Sequence, residues 1–294
     1  MKRLIQSALL LIVAVGLFST LEAQETIKIG MIANYKNDEL KLSTKTQTGY
    51  RQSMKISECP PLDSPLLKES QRSTMELMFV CHALKNADLG ENFVLVPYPN
   101  PKRSIIQVEQ DQIHIDGGSK FRKALEGKNL LLSDALLRKG EFVVGLFSTR
   151  NRPEVLKIKS LPELRQYVGV TVKTWKMDRE VMEQLGLKKV RFVGKGIHIA
   201  RSIQEKKADF TFSFLKEKVV SRVGGELLRI DGLKASLPDE RVFLISPRQK
   251  ALFEAIQHFI KVSREPEDLI KKAYIHSGFI AADYENWIDV RLAK

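Results

Sequence analysis

The run Ser160-Leu161-Pro162-Glu163-Leu164-Arg165-Gln166-Tyr167-Val168-Gly169-Val170 passes from a helical pattern into a β-rich one within a few residues. Leu161–Gln166 reads as a short helix and Val168–Val172 as a strand, and the alternation continues on both sides. Downstream come helical patterns at Asp178–Leu185 and Ile199–Lys206, with strand patterns at Val190–Val193, Phe210–Phe212 and Val242–Ile245. The tail from Lys250 to Ser277 is helical, with a break expected at Pro266, whose ring cannot continue a helix. Upstream, strands are expected at Ile27–Ile32, Phe93–Val96, Ile113–Ile115 and Phe142–Phe147. Helices are expected over Pro65–Lys85, where Met75, Met78, Phe79 and His82 recur at spacings of three and four, and over Pro101–Gln110. Alternating strands and helices predict an α/β protein. The rhythm breaks at Arg150-Asn151-Arg152-Pro153 and restarts from Leu156, which predicts a second α/β lobe. Asn37–Pro61 is polar and weakly periodic, so it reads as a long surface insertion after the first strand.

The chain has 294 residues, 43% hydrophobic and 28% charged, enough apolar content for a packed core and too much for disorder. Met1–Ala23 carries Lys2 and Arg3, then an apolar stretch Ala8–Phe18, then Leu21-Glu22-Ala23 before a cleavage point. This is the layout of a secretory signal peptide; the alternative, an uncleaved anchor, needs ~20 apolar residues. The expected product is an exported, periplasmic monomer. Export opens two fates for the cysteines, Cys59 and Cys81: a disulfide, or a thiol buried in the helical stretch that holds Cys81. Two cysteines exclude a disulfide scaffold and a Cys₄ zinc site.

The order of these segments resembles the type II periplasmic solute-binding proteins, in a family 3-like form. Lys28-Ile29-Gly30-Met31 is similar to that family's opening strand, and Leu161–Leu164 with Val168-Gly169-Val170 to the start of its second lobe. Ser202–Phe212 with Ala208-Asp209 resembles a later strand, although Lys206 or Lys207 replaces the usual glycine. Arg241–Ser246 resembles the strand that returns to the first lobe. Arg103–Ile115 departs from the pattern, with Asp111 and His114 where the family often has Gly and then Asp. The resemblance implies two lobes, each a mixed sheet flanked by helices and joined by a two-strand hinge near Phe147 and Ser246. Residues 24–146 plus 246–294 would form lobe one, and 147–245 lobe two. Function would be non-enzymatic capture of a small organic ligand between the lobes, for delivery to the permease of an ABC-type importer. The alternative is a receptor of the same fold docking onto a membrane sensor kinase.

That geometry points to four loops: Asn34-Tyr35, Asp116-Gly117-Gly118-Ser119, Thr174-Trp175 and Ser213, with Arg138 as a carboxylate clasp near the hinge. Each has a plainer alternative. Gly117-Gly118 also suits an ordinary turn, Tyr35 packing under the insertion, and Arg138 the surface. Glu163, Asp178 and Asp209 read as caps or surface charges. His82, His114, His198, His258 and His276 lack metal-ligand spacing, and no phosphate-loop, dinucleotide or nucleophile-elbow motif occurs, so no metal, cofactor or catalytic group is expected. The net charge of +13 is scattered rather than clustered, which argues against nucleic acid as partner.

Overall fold

The computed structural model describes residues 26–33, 36–37, 40, 42–43, 53–216, 218–221, 225–281 and 283–293. The expected signal peptide and about half of the Asn37–Pro61 insertion lie outside these residues. Along the chain run β1 (Ile27–Ile32), α1 (Arg72–Asn86), β2 (Asn92–Tyr98), α2 (Pro101–Glu109), β3 (Ile115–Asp116) and β4 (Val143–Ser148). They are followed by β5 (Val168–Val172), α3 (Lys176–Gln184), β6 (Lys189–Val193), α4 (Ile199–Gln204), β7 (Thr211–Phe214) and β8 (Gly225–Ser236). The chain closes with β9 (Leu244–Ile245), α5 (Lys250–Arg264), α6 (Leu269–His276) and β10 (Ile288–Asp289).

Local chemistry accounts for the starts of these elements. Asn100 caps α2 by accepting from Arg103 N at 3.0 Å, with Pro101 in the first turn, where its missing N–H costs nothing. Ser160 and Glu163 form a capping box over Leu161–Leu164: Ser160 Oγ donates to Glu163 at 2.9 Å, and Glu163 also accepts from Lys159 N at 3.1 Å. Their charges serve the helix start, as expected of Glu163. The expected break at Pro266 falls between α5 and α6, and Asp268 caps the second helix.

Two sheets repeat one strand order. In the first, β2, β1 and β3 run parallel in that order, β9 adds antiparallel to β3, and Ser53–Lys55 and Leu131–Leu132 form the edges. In the second, β6 and β5 are parallel, and β5 meets the start of β7 through Val170 N donating to Phe210 O at 2.9 Å. β4 then lies antiparallel to β7, and β8 antiparallel to β4. Each sheet thus reads second strand, first strand, third strand, then an antiparallel strand contributed by a crossing of the chain. β4 belongs wholly to the second sheet, so the first crossing lies between Leu132 and Val143, ahead of the expected Phe147. To the two expected crossings the C-terminal segment adds a third: α5 packs against α1, yet β10 pairs with β8, Leu233 opposite Ile288.

The core of the first sheet is built on α1, most of whose residues are buried, with Phe79 against Phe259 of α5 and edge-on to Tyr274 of α6 at 5.3 Å. Cys59 and Cys81 are joined by a disulfide that ties the α1 helix to the segment before it. The long strand β8 is absent from the sequence reading. Its register shifts between Arg229 and Lys234, and Gly232 there has φ +90°, so the buried positions do not alternate along it.

Candidate functional site

The parallel strands β1, β2 and β3 end at one side of the first sheet, and there a group of charged side chains is buried. Glu76, in the second turn of α1 among Met75, Leu77 and Met78, is completely buried. Its carboxylate accepts Arg72 Nη1 at 2.5 Å, Ser119 N at 2.8 Å, Ser119 Oγ at 2.6 Å and Tyr274 OH at 3.0 Å. Burial pushes this carboxyl upward, but the Arg72 and Arg241 charges and the Ser119 hydrogen bonds outweigh it and hold Glu76 below the usual glutamate range. Asp116, at the end of β3, is equally buried and accepts Lys120 Nζ at 2.6 Å, Gly118 N at 2.9 Å and Tyr98 OH at 3.1 Å. Burial, then Asp116, raises the Tyr98 hydroxyl, so it remains a donor. Burial also lowers Lys120, against the pull of Asp116.

Arg241 completes the cluster. Its guanidinium lies beside the edge-on pair Phe121 and Phe142, 4.7 and 5.1 Å from their centroids, and donates to Ser119 Oγ at 2.9 Å and to Ser119 O. Glu76 is ion-paired to Arg72 and Asp116 to Lys120, whereas Arg241 makes no ion pair among the described residues. Burial, then repulsion from Arg72, depresses it to about 10. From the second sheet, Asp178 in the first turn of α3 feels the Arg241 charge, yet burial dominates and raises its carboxyl to about 6. Part-buried there, it accepts its own backbone N–H in the first turn, in keeping with the cap expected of it.

Of the residues singled out in the sequence, Asp116, Gly117 and Ser119 lie in this cluster. Gly117 is needed for close approach and not for a left-handed backbone: its N–H donates to Gly30 O at 2.8 Å, and a Cβ there would stand 2.6 Å from Met31 Sδ. Gly118 contributes its N–H to Asp116. Thr174 and Trp175 precede α3 and are exposed, Trp175 at 44%, with the indole edge against Gly196. Ser213, part-buried on β7, pairs with Gly145 of β4. Arg138 is exposed, its backbone N–H donating to Glu141, and stands apart from the cluster. Asn34 and Tyr35 lie outside the described residues. The sequence reading missed Arg72, Glu76, Tyr98, Lys120, Arg241 and Tyr274. One signal was available: Glu76 is the lone charge within the apolar run Thr74–Leu84 apart from His82, and a charge on a buried helical face requires a partner. Among the described residues no group of His, Cys, Asp and Glu is placed to hold a metal ion, and no helix is long and apolar enough to cross a membrane.

No protein-family model matches the chain, and no curated protein matches it. Solved structures do. An ancestral cationic amino acid solute-binding protein is similar over 87% of this chain and 95% of its own, at 13% identity and TM-score 0.54. A probable amino-acid ABC transporter extracellular-binding protein from Bacillus subtilis is similar over 88% and 99%, at 15% identity and TM-score 0.52. The periplasmic domain of BvgS from B. pertussis is similar over 86% of this chain and 42% of its own, at 12% identity and TM-score 0.50. Together with the strand order repeated in both sheets, these likenesses show that the chain has the two-lobed α/β fold of the type II periplasmic solute-binding proteins.

Proposed function

We propose that the protein is an exported, periplasmic solute-binding protein that captures a zwitterionic amino-acid-like ligand between its lobes and delivers it to the permease of an ABC-type importer. One lobe is built on the first sheet and the other on the second, with boundaries at the crossings near residues 133–142 and 237–243. Arg241 is the observation that carries the reading. A buried guanidinium lying beside two rings and paired with no carboxylate among the described residues is a preformed receptor for a ligand carboxylate. Asp178, on α3 beside the second sheet, feels the Arg241 charge and would suit a ligand ammonium. Both solute-binding relatives named above are described as amino-acid-binding proteins, which agrees with a bipolar site. Ser119 Oγ donates to Glu76 but also accepts from Arg72 and Arg241, which occupies its lone pairs, so binding without turnover is the activity proposed.

A sensor role is the second reading, favoured by the likeness to the BvgS periplasmic domain. Thermal unfolding of the exported chain against the amino acids tests the binding. A true ligand at ~100 times its Kd adds about 2.7 kcal/mol, or roughly 5–10 °C for a chain of this size. Arg241→Lys should weaken that ligand at least about tenfold, because one ammonium cannot make two parallel bonds to a carboxylate. An unchanged affinity in that variant, or silence across all amino acids, would overturn the proposal. Uptake lost on deletion supports delivery to an importer; normal uptake with a lost transcriptional response supports the sensor.

A further inference from the structure

A cavity of about 520 Å³ shares no lining side chain with the cluster around Glu76 and Arg241, although its Leu137 pairs with the Arg241 backbone; it is walled by the start of β4, the end of β8, the turn Leu137–Glu141, the adjoining ends of α5 and α6, and the C-terminal segment. Five cationic and three acidic side chains line it. The acidic ones are all engaged by groups of the protein. Glu141 accepts Arg264 Nη2 at 2.8 Å, Asp268 accepts Arg264 Nη1 at 2.8 Å, and Asp289 accepts the backbone N–H of Ser236 and Arg291. Lys271 pairs with Glu285. Three cations remain without a carboxylate. Among the described residues, Lys234 Nζ rests on the carbonyls of Tyr284 and Glu285 at 2.9 and 3.1 Å, the Arg291 guanidinium donates only to Ser236 Oγ, and the exposed Lys139 makes no hydrogen bond or ion pair. Arg264, only 6% exposed in its side chain, also keeps a buried Nε with no acceptor. Excess cations gathered around a half-open volume, Lys139 among them exposed, repel one another, and an entering anion relieves that repulsion.

We infer that this cavity is a second binding site, for a compact multivalent oxyanion carrying phosphate or clustered carboxylate groups, held by Lys139, Lys234 and Arg291. It is separate from the amino-acid site proposed above and does not depend on it. Guanidinium and ammonium donors suit either oxyanion, and the cavity is wide enough for a small organic one.

Calorimetric titration of the full chain with pyrophosphate and, separately, with citrate tests the inference and distinguishes the two sources. Saturable binding of one of them is expected, weakening with added salt, and roughly tenfold weaker in Arg291→Gln and in Lys139→Gln. Lys139→Gln removes a side chain with no partner in the fold, so it keeps the test decisive if Arg291→Gln fails to fold. Arg241→Lys should leave this binding unchanged. No saturable binding of either anion, binding indifferent to Lys139→Gln and Arg291→Gln, or binding lost in Arg241→Lys would each overturn the inference.

Discussion

Glu76 stands where two guanidiniums approach one another, Arg72 bonded to it directly and Arg241 through Ser119. Glu76→Ala would leave both cations buried without the carboxylate that balances them, and should cost about 3–5 kcal/mol in denaturant unfolding. Because the folded state holds this carboxyl below its ordinary range, its contribution is present above that range and lost as pH falls through the lower folded value. Asp178 has the opposite sign. Its carboxyl is raised to about 6, so the folded state opposes its ionisation and the cost appears as pH rises towards that value. An ammonium ligand requires the ionised form, so affinity should fall below pH 6 by up to about tenfold per unit. Asp178→Asn should abolish that slope in a titration run from pH 5 to 8. Much of the site's first-lobe floor was legible as Asp116 and Ser119, since they directly follow a recognisable strand. Arg241 was not, because its partner Ser119 lies 122 residues away and only the fold brings them together.

Among the elements, α1 carries the heaviest structural duty: it fills the core of the first sheet, supplies Arg72 and Glu76, and is cross-linked through Cys81 to Cys59. A bond spanning 22 residues stabilises by roughly 3 kcal/mol in the chain-entropy model. Reduction should therefore lower the unfolding midpoint measurably, and Cys59→Ser should reproduce the loss without reductant. Most strands and helices were readable from period and punctuation, including the stop at Pro266 and the matching limits of Ile27–Ile32 and Val168–Val172. β8 escaped because a twelve-residue strand that kinks at Gly232 presents different faces before and after the kink, which destroys the alternation that marks a strand.

At the scale of the whole molecule, the strand order of the first sheet places the ends of β1, β2 and β3 together beside one buried cluster, and it explains why residues from distant segments meet there. Rings reach across as well: Phe214 of β7 packs on Phe279, which follows α6, at 5.4 Å. The break in rhythm at Arg150–Pro153 falls within the second sheet, because β4 already belongs to it, and the third crossing was hidden because β10 is only two residues long. That short strand gives the protein a built-in clock. The Val290 N–H donates to Lys234 O at 2.9 Å and is nearly sealed from water, with Val290 only 1% exposed. Any excursion that swings the sheets apart must either stretch residues 281–287 or release this amide. Its exchange with deuterium would then count openings one by one, slowing when an amino acid holds the lobes shut. Exchange that proceeds at the same rate with and without a saturating ligand would mean that the tail rides with the second sheet and that the swing happens elsewhere.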